Sequence, residues 1–194
     1  MERFPLAVLI TTGPEGLRAS HLPMLHDPEP APYGTLLGHV ARANAQWRDA
    51  TEGRDALAIF SGPDAYVTPA WYEATHETGK VVPTWNYLAV HAHGTLRAFD
   101  DPVRLRGLVA RLTVQYETGF AEPWSIDDAP ADYIETMVGA IVGLEMPVSR
   151  LTGKWKLSQN RPEADRLTVE SELLGSSGPR DRATGEEMKR LRER

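Results

Sequence analysis

A chain of 194 residues with a 41% hydrophobic fraction is long enough to bury a sizeable core as one compact domain. It has no cysteine, which excludes disulfides, thiolate catalysis and thiolate metal sites. The net charge is −6 and unevenly spread, with 15 basic against 23 acidic residues through position 179 and six against four from Arg180 to Arg194; so acidic a body gives direct DNA binding no support.

The apolar opening from Phe4 to Ile10 is too short to span a membrane and no cleavage signal follows it. No membrane partner is expected, and the expected compartment is the cytoplasm. Leu6 to Thr12 reads as a strand, Gly13-Pro14-Glu15-Gly16 as a turn and Leu17 to Leu22 as the returning strand, together a hairpin at the edge of a barrel. Asp27 to Pro32 holds three prolines in six residues and reads as a loop. Leu36 to Val40 resumes extended structure, Ala41 to Ala50 predicts a short helix, and Ala56 to Ser61 predicts a strand ending at a Gly62-Pro63 turn. Glu73 to Lys80 reads as a solvated loop or short helix. Val81 to Phe99 suits one bent strand or two segments.

Helical spacing follows at Leu105, Leu108, Val109, Leu112 and Tyr116. Asp101 is placed to cap that helix and Pro102 to occupy its first turn. A second amphipathic segment contains Tyr133, Ile134, Met137, Val138 and Ile141. Asn160-Arg161-Pro162-Glu163 has the spacing of a capping box for a third helix. Ordered packing is expected to end near Gly175, giving a single domain over 1–175 and a charged, flexible tail over 176–194. The fold class expected is mainly β with peripheral α-helices.

Candidate chemistry concentrates in four clusters that together hold four of the five tryptophans. In Val82-Pro83-Thr84-Trp85-Asn86-Tyr87, alternation along a strand puts Thr84 and Asn86 on one face and Trp85 and Tyr87 on the other. This mixture of rings, hydroxyl and amide suits a planar ligand, and it equally suits a barrel core with two satisfied polar residues. His39, at the end of Gly38-His39, is followed by Arg42, whose guanidinium fork suits phosphate, and by Asn44, which suits phosphate, sugar hydroxyls or a helix cap. Lys154, Lys156, Gln159 and Arg161 form a second anion candidate; an exposed edge strand followed by a capped helix is the plainer reading. Tyr66, Trp71 and Tyr72 suit packing between subunits better than direct contact with a ligand ring. His39, His91 and His93 have no spacing that fixes a third ligand, so no metal is assigned. No paired-carboxylate or Ser-His-Asp pattern assigns a catalytic residue.

The words His21-Leu22-Pro23, Gly38-His39 with Arg42-Ala43-Asn44, Val82 to Tyr87, and Lys154 to Arg161 resemble those of the FMN-binding, PaiB-like family of negative transcriptional regulators. The resemblance runs from about Thr11 to about Arg166. It implies an FMN-binding split β-barrel that pairs as a homodimer, with FMN near the subunit contact. On this resemblance the cofactor-binding candidates are His39, Arg42, Asn44, Thr84, Trp85, Asn86, Lys154, Lys156, Gln159 and Arg161. FMN is expected over FAD because no dinucleotide glycine fingerprint follows an early strand. Two function classes fit: a regulator or redox sensor, and a small FMN-dependent oxidoreductase fed by a nicotinamide or another donor.

Overall fold

The computed structural model of the protein describes residues 1–50 and 53–194, with the side chains at 76 and 77 excepted. Its strands are β1 (Leu6–Gly13), β2 (Gly16–Pro23), β3 (Leu25–Asp27), β4 (Thr35–Ala41), β5 (Asp55–Val67), β6 (Thr84–Thr95), β7 (Arg97–Phe99) and β8 (Ile141–Lys156). Its helices are α1 (Gln46–Ala50), α2 (Glu73–Glu77), α3 (Pro102–Glu117), α4 (Ala131–Gly139), α5 (Glu163–Gly175) and α6 (Pro179–Arg192). The strand order is β2-β1-β5-β6-β8-β4-β3, with β7 also pairing β8. The chain divides into two compact units, residues 1–60 with 91–152 and residues 61–90 with 153–194.

In the first unit, β1 and β2 form the expected hairpin, closing at a Gly13–Gly16 pair. Alternation places Ala7, Leu9 and Thr11 inward, each at most 2% exposed. On the other edge, β4 runs antiparallel to β8, and Leu36, Val40, Val142, Leu144 and Met146 are buried. Gly143 stands opposite both His39 and Phe99. A Cβ there would come within 2.3 Å of the Phe99 ring, so only glycine seats that ring against β8. Phe99 then packs with Leu105, Ile126, Ile134 and Val138, the core of the α3–α4 pair. Helix α3 begins as its sequence predicts: the Asp101 carboxylate accepts from the Arg104 amide at 2.7 Å and Pro102 occupies the first turn.

In the second unit, Ala65, Val67, Tyr72, Leu88, Leu157, Val169, Leu173 and Met188 form one core. Asp165, on α5, accepts the first amide of α2 from Glu73 at 2.9 Å, so a short helix with no cap of its own gains one from a distant carboxylate. Gly185 lets α6 lie close on α5; a Cβ at that position would stand 3.0 Å from the Leu174 backbone nitrogen.

The structure departs from the sequence pattern at five places. Ala41 to Ala50 is helical only over α1, because Asn44 turns the chain first. β5 does not stop at Gly62-Pro63 but continues to Val67. Its pairing with β1 ends at Phe60, so the missing Pro63 amide is not needed on that side. The Asn160-to-Glu163 capping box does not form; Pro162 sits at the α5 N-cap without a side-chain cap. Ile141, counted in the second amphipathic segment, opens the long strand β8, since the helix ends at Gly139. Within residues 176–194, expected as a flexible tail, Pro179–Arg192 form α6, whose Thr184, Gly185, Glu187 and Met188 are buried. The solvated character expected across Glu73 to Lys80 lies, for positions 76 and 77, outside the described side chains.

Leu173 is fully buried in the second core. Leu173→Ala should therefore cost about 2–5 kcal/mol in urea unfolding. Val103→Ala, at a position 81% exposed, should stay within about 0.5 kcal/mol.

Candidate functional site

The ten candidate residues fall into two groups, one in each unit. In the first unit, Arg42 was expected to present its guanidinium to phosphate, and four of its five donors are engaged within the protein. Nη1 and Nη2 hold the two oxygens of Asp100 at 3.0 and 2.5 Å, Nε donates to the Gly139 carbonyl, and Nη2 also donates to the Ile141 carbonyl. This fork closes the end of α4 onto the start of β8. The hydrogen bond from Arg42 holds the Asp100 pKa below the ordinary carboxylate value. Asn44 is likewise engaged within the protein: its Nδ2 donates to Ser20 Oγ at 2.9 Å and its Oδ1 accepts from the Gln46 amide at 3.0 Å, starting α1. His39 shares the Phe99 face of the sheet by its pairing with Gly143. Burial lowers its pKa, and its Nδ1 is buried without a hydrogen-bond partner.

The second unit gathers the other seven residues. Asn86 has no exposed surface; its Oδ1 accepts from Ser158 Oγ at 3.1 Å and its Nδ2 donates to the Met188 sulfur at 3.4 Å. Thr84, two residues away on the same strand face, accepts from Lys156 Nζ at 2.5 Å. Trp85 points the other way, 53% exposed, with the Tyr66 ring edge-on at 5.9 Å. Trp155 is 47% exposed. Gln159 folds back on its own turn, accepting from the Leu157 amide at 2.7 Å and donating to the Trp155 carbonyl at 2.5 Å. Arg161 lies over the Tyr72 ring at 4.6 Å, and Lys154 is exposed.

The charge pattern separates the two groups. Arg42 is neutralised by Asp100, whereas Lys154, Lys156 and Arg161 form no ion pair among the described residues. Three cations within eight residues, unneutralised in a chain of net charge −6, form an anion-attracting edge. The same unit exposes the rings of Tyr66 and Trp85 and the Trp155 side chain, which alternation sets on the opposite face of β8 from Lys154 and Lys156. A planar ring ending in a phosphate fits this donor set: the rings offer an apolar wall, and the lysines and Arg161 offer donors. Among the described residues no cluster of three metal-ligating side chains occurs.

Two contributors escaped the sequence reading. Ser158 adopts a left-handed backbone with φ of 63°, a conformation that a residue other than glycine holds only where its surroundings impose it. Neither glycine nor asparagine, the residues that favour a positive φ, stands in Leu157-Ser158-Gln159 to signal this. Tyr72 was expected at a pocket or a subunit contact, but it is 1% exposed in the second core, where it forms the platform under Arg161.

The fold is that of the split-barrel flavin-binding proteins. A solved FAD- and haem-binding protein from Mycobacterium smegmatis superposes with a TM-score of 0.59 at 15% identity, covering 86% of this chain and 72% of that one. A family model described as "Putative FMN-binding domain" matches residues 1–150. The protease synthase and sporulation protein PAI 2 of Bacillus subtilis is 32% identical across 88% of this chain and 79% of its own length. An uncharacterized protein of Emericella nidulans is 35% identical across 89% of this chain and 83% of its own length. The chain belongs to the FMN-binding, PaiB-like family, and the flavin is the cofactor class this membership supports.

The Ser158 pair yields a stability test. Ser158→Ala loses the bond to Asn86 and keeps the left-handed backbone, so it should destabilise by about 1–3 kcal/mol. Ser158→Gly loses the same bond and relieves the backbone, so its loss should be smaller by about 1 kcal/mol. Chemical denaturation of the two variants measures the difference.

Proposed function

We propose that the protein is an FMN-binding redox sensor of the PaiB type that works as a homodimer, with the flavin on the outer face of the second unit. The observation that carries this reading is the set of unneutralised cations Lys154, Lys156 and Arg161 in the unit that also exposes Trp85 and Trp155. FMN is preferred to FAD because a single phosphate matches one short cationic edge and no glycine-rich dinucleotide turn is present. The description of the matching family model supports the same choice. That match ends at residue 150, so the roles of Lys154 to Arg161 rest on this chain's own geometry.

Trp85 and Tyr87 wall the ring, Thr84 positions Lys156, and Asn86 fixes the strand from its buried side. When bound, FMN supplies one- and two-electron transfer. The exposed Val82, Trp85, Tyr66 and Trp155 support a second copy of the chain as the cover for this face. A regulatory output is supported by the sporulation role in the name of the Bacillus subtilis relative. The charge of −6 speaks against the protein itself reading DNA.

Titration of flavin-free protein should show FMN binding more tightly than FAD. Arg161→Ala and Lys154→Ala should each weaken FMN binding about tenfold to a hundredfold, the worth of a hydrogen bond to a charged group. Arg42→Ala should lower stability and leave FMN affinity unchanged. Equal affinity for FAD, or an FMN affinity that depends on Arg42 and not on Arg161, contradicts the assignment. Rapid turnover with a nicotinamide donor favours the oxidoreductase over the sensor.

A further inference from the structure

Between α5 and α6 the second unit contains a cavity of about 180 Å3. This is below the roughly 300–1,000 Å3 of pockets that enclose a drug-sized ligand, so the flavin is not its occupant. Leu157, Leu167, Met188 and Leu191 form its apolar wall. Its charged lining divides into a closed pair and an open one. Arg192 is held by both oxygens of Glu170 at 3.2 and 2.9 Å and has little left to offer a ligand. Glu163 and Arg166 also line the cavity, yet neither forms an ion pair among the described residues; Glu163 attracts Arg192 only at longer range, as the least of the influences on the Arg192 pKa. The Arg166 Nε is buried with no hydrogen-bond partner, a donor whose desolvation nothing in the protein compensates.

Glu163 and Arg166 stand three residues apart on α5, which sets their Cβ atoms about 5–6 Å apart on one face. A carboxylate and a guanidinium so placed would ordinarily close on each other. Here they stay apart and leave adjacent sites for a cation and an anion beside an apolar wall. A ligand with only a carboxylate would meet Arg166 but face Glu163; one with only an ammonium would meet the reverse. A molecule bearing both on neighbouring atoms, with a short hydrocarbon side chain, satisfies both open charges and the apolar wall.

We propose that this cavity is a binding site for a small apolar α-amino acid, its carboxylate on Arg166, its ammonium on Glu163 and its side chain against Leu157, Leu167, Met188 and Leu191. Met188 also accepts the Asn86 amide, so the ligand would rest against the residue that anchors the strand carrying Trp85. The site does not depend on the flavin reading, because none of its charged groups is assigned to the flavin.

The test is calorimetric titration of the full chain as purified, using L-leucine, 4-methylpentanoate and 3-methylbutylamine as probes. Leucine should bind with Kd of about a millimolar or tighter, and each singly charged analogue at least about tenfold more weakly. Arg166→Gln and Glu163→Gln should each weaken leucine binding by about tenfold or more while leaving FMN titration unchanged. Absence of leucine binding, equal binding of 4-methylpentanoate, or leucine affinity unaltered in both variants would overturn the proposal. Since FMN binding is titrated separately, these outcomes leave the flavin assignment standing.

Discussion

Asn86 has no contact with water, so its amide must be satisfied inside the protein, and the second unit is organised around that requirement. Its oxygen is met by Ser158, which reaches it only from a left-handed backbone. Leaving the amide oxygen unpaired would cost about 1–3 kcal/mol, comparable to the roughly 1–3 kcal/mol of such backbone strain, so the strained turn persists because the alternative is no better. With Ser158 fixed, the end of β8 is held against the start of β6, and Lys156 meets Thr84. From Thr84 onward, strand alternation then turns Trp85 outward and Asn86 inward. One buried amide thereby determines which groups this strand presents to solvent.

Use of charge distinguishes scaffold from site. Arg42, Arg104 and Arg106 all end on carboxylates, and each ties a helix to a strand or a turn. Pairs this exposed contribute little stability individually; their effect is to fix local geometry. Lys154, Lys156 and Arg161 have no such partners. An uncompensated cation on an acidic protein is an electrostatic asset only toward an anion from outside.

Much of this was legible in the sequence where local chemistry decides structure. The Gly13-to-Gly16 turn, the Asp101-Pro102 helix start and the Thr84/Asn86 face each depend on neighbouring residues alone. Ser158 and Arg42 were not legible because their conformations answer to groups distant in sequence, Asn86 and Asp100. The same holds for the failed capping box: Asn160 has the right spacing, but the chain enters α5 through Pro162 instead. α6 was obscured by its charge, since only a narrow stripe around Met188 and Leu191 is apolar. β8 was hidden because the apolar spacing of α4 runs directly into Ile141 and Val142.

A flavin resting on the Trp85–Trp155 face of the second unit, as proposed, would quench those two rings. Quenching of tryptophan fluorescence by FMN tests it directly, since Trp85 and Trp155 lie in that unit while Trp47 and Trp124 lie in the other. Trp85→Phe and Trp155→Phe should each remove a large part of the quenching, and Trp47→Phe and Trp124→Phe should leave it nearly intact. Quenching that survives both second-unit substitutions and is lost with Trp47→Phe would contradict the account.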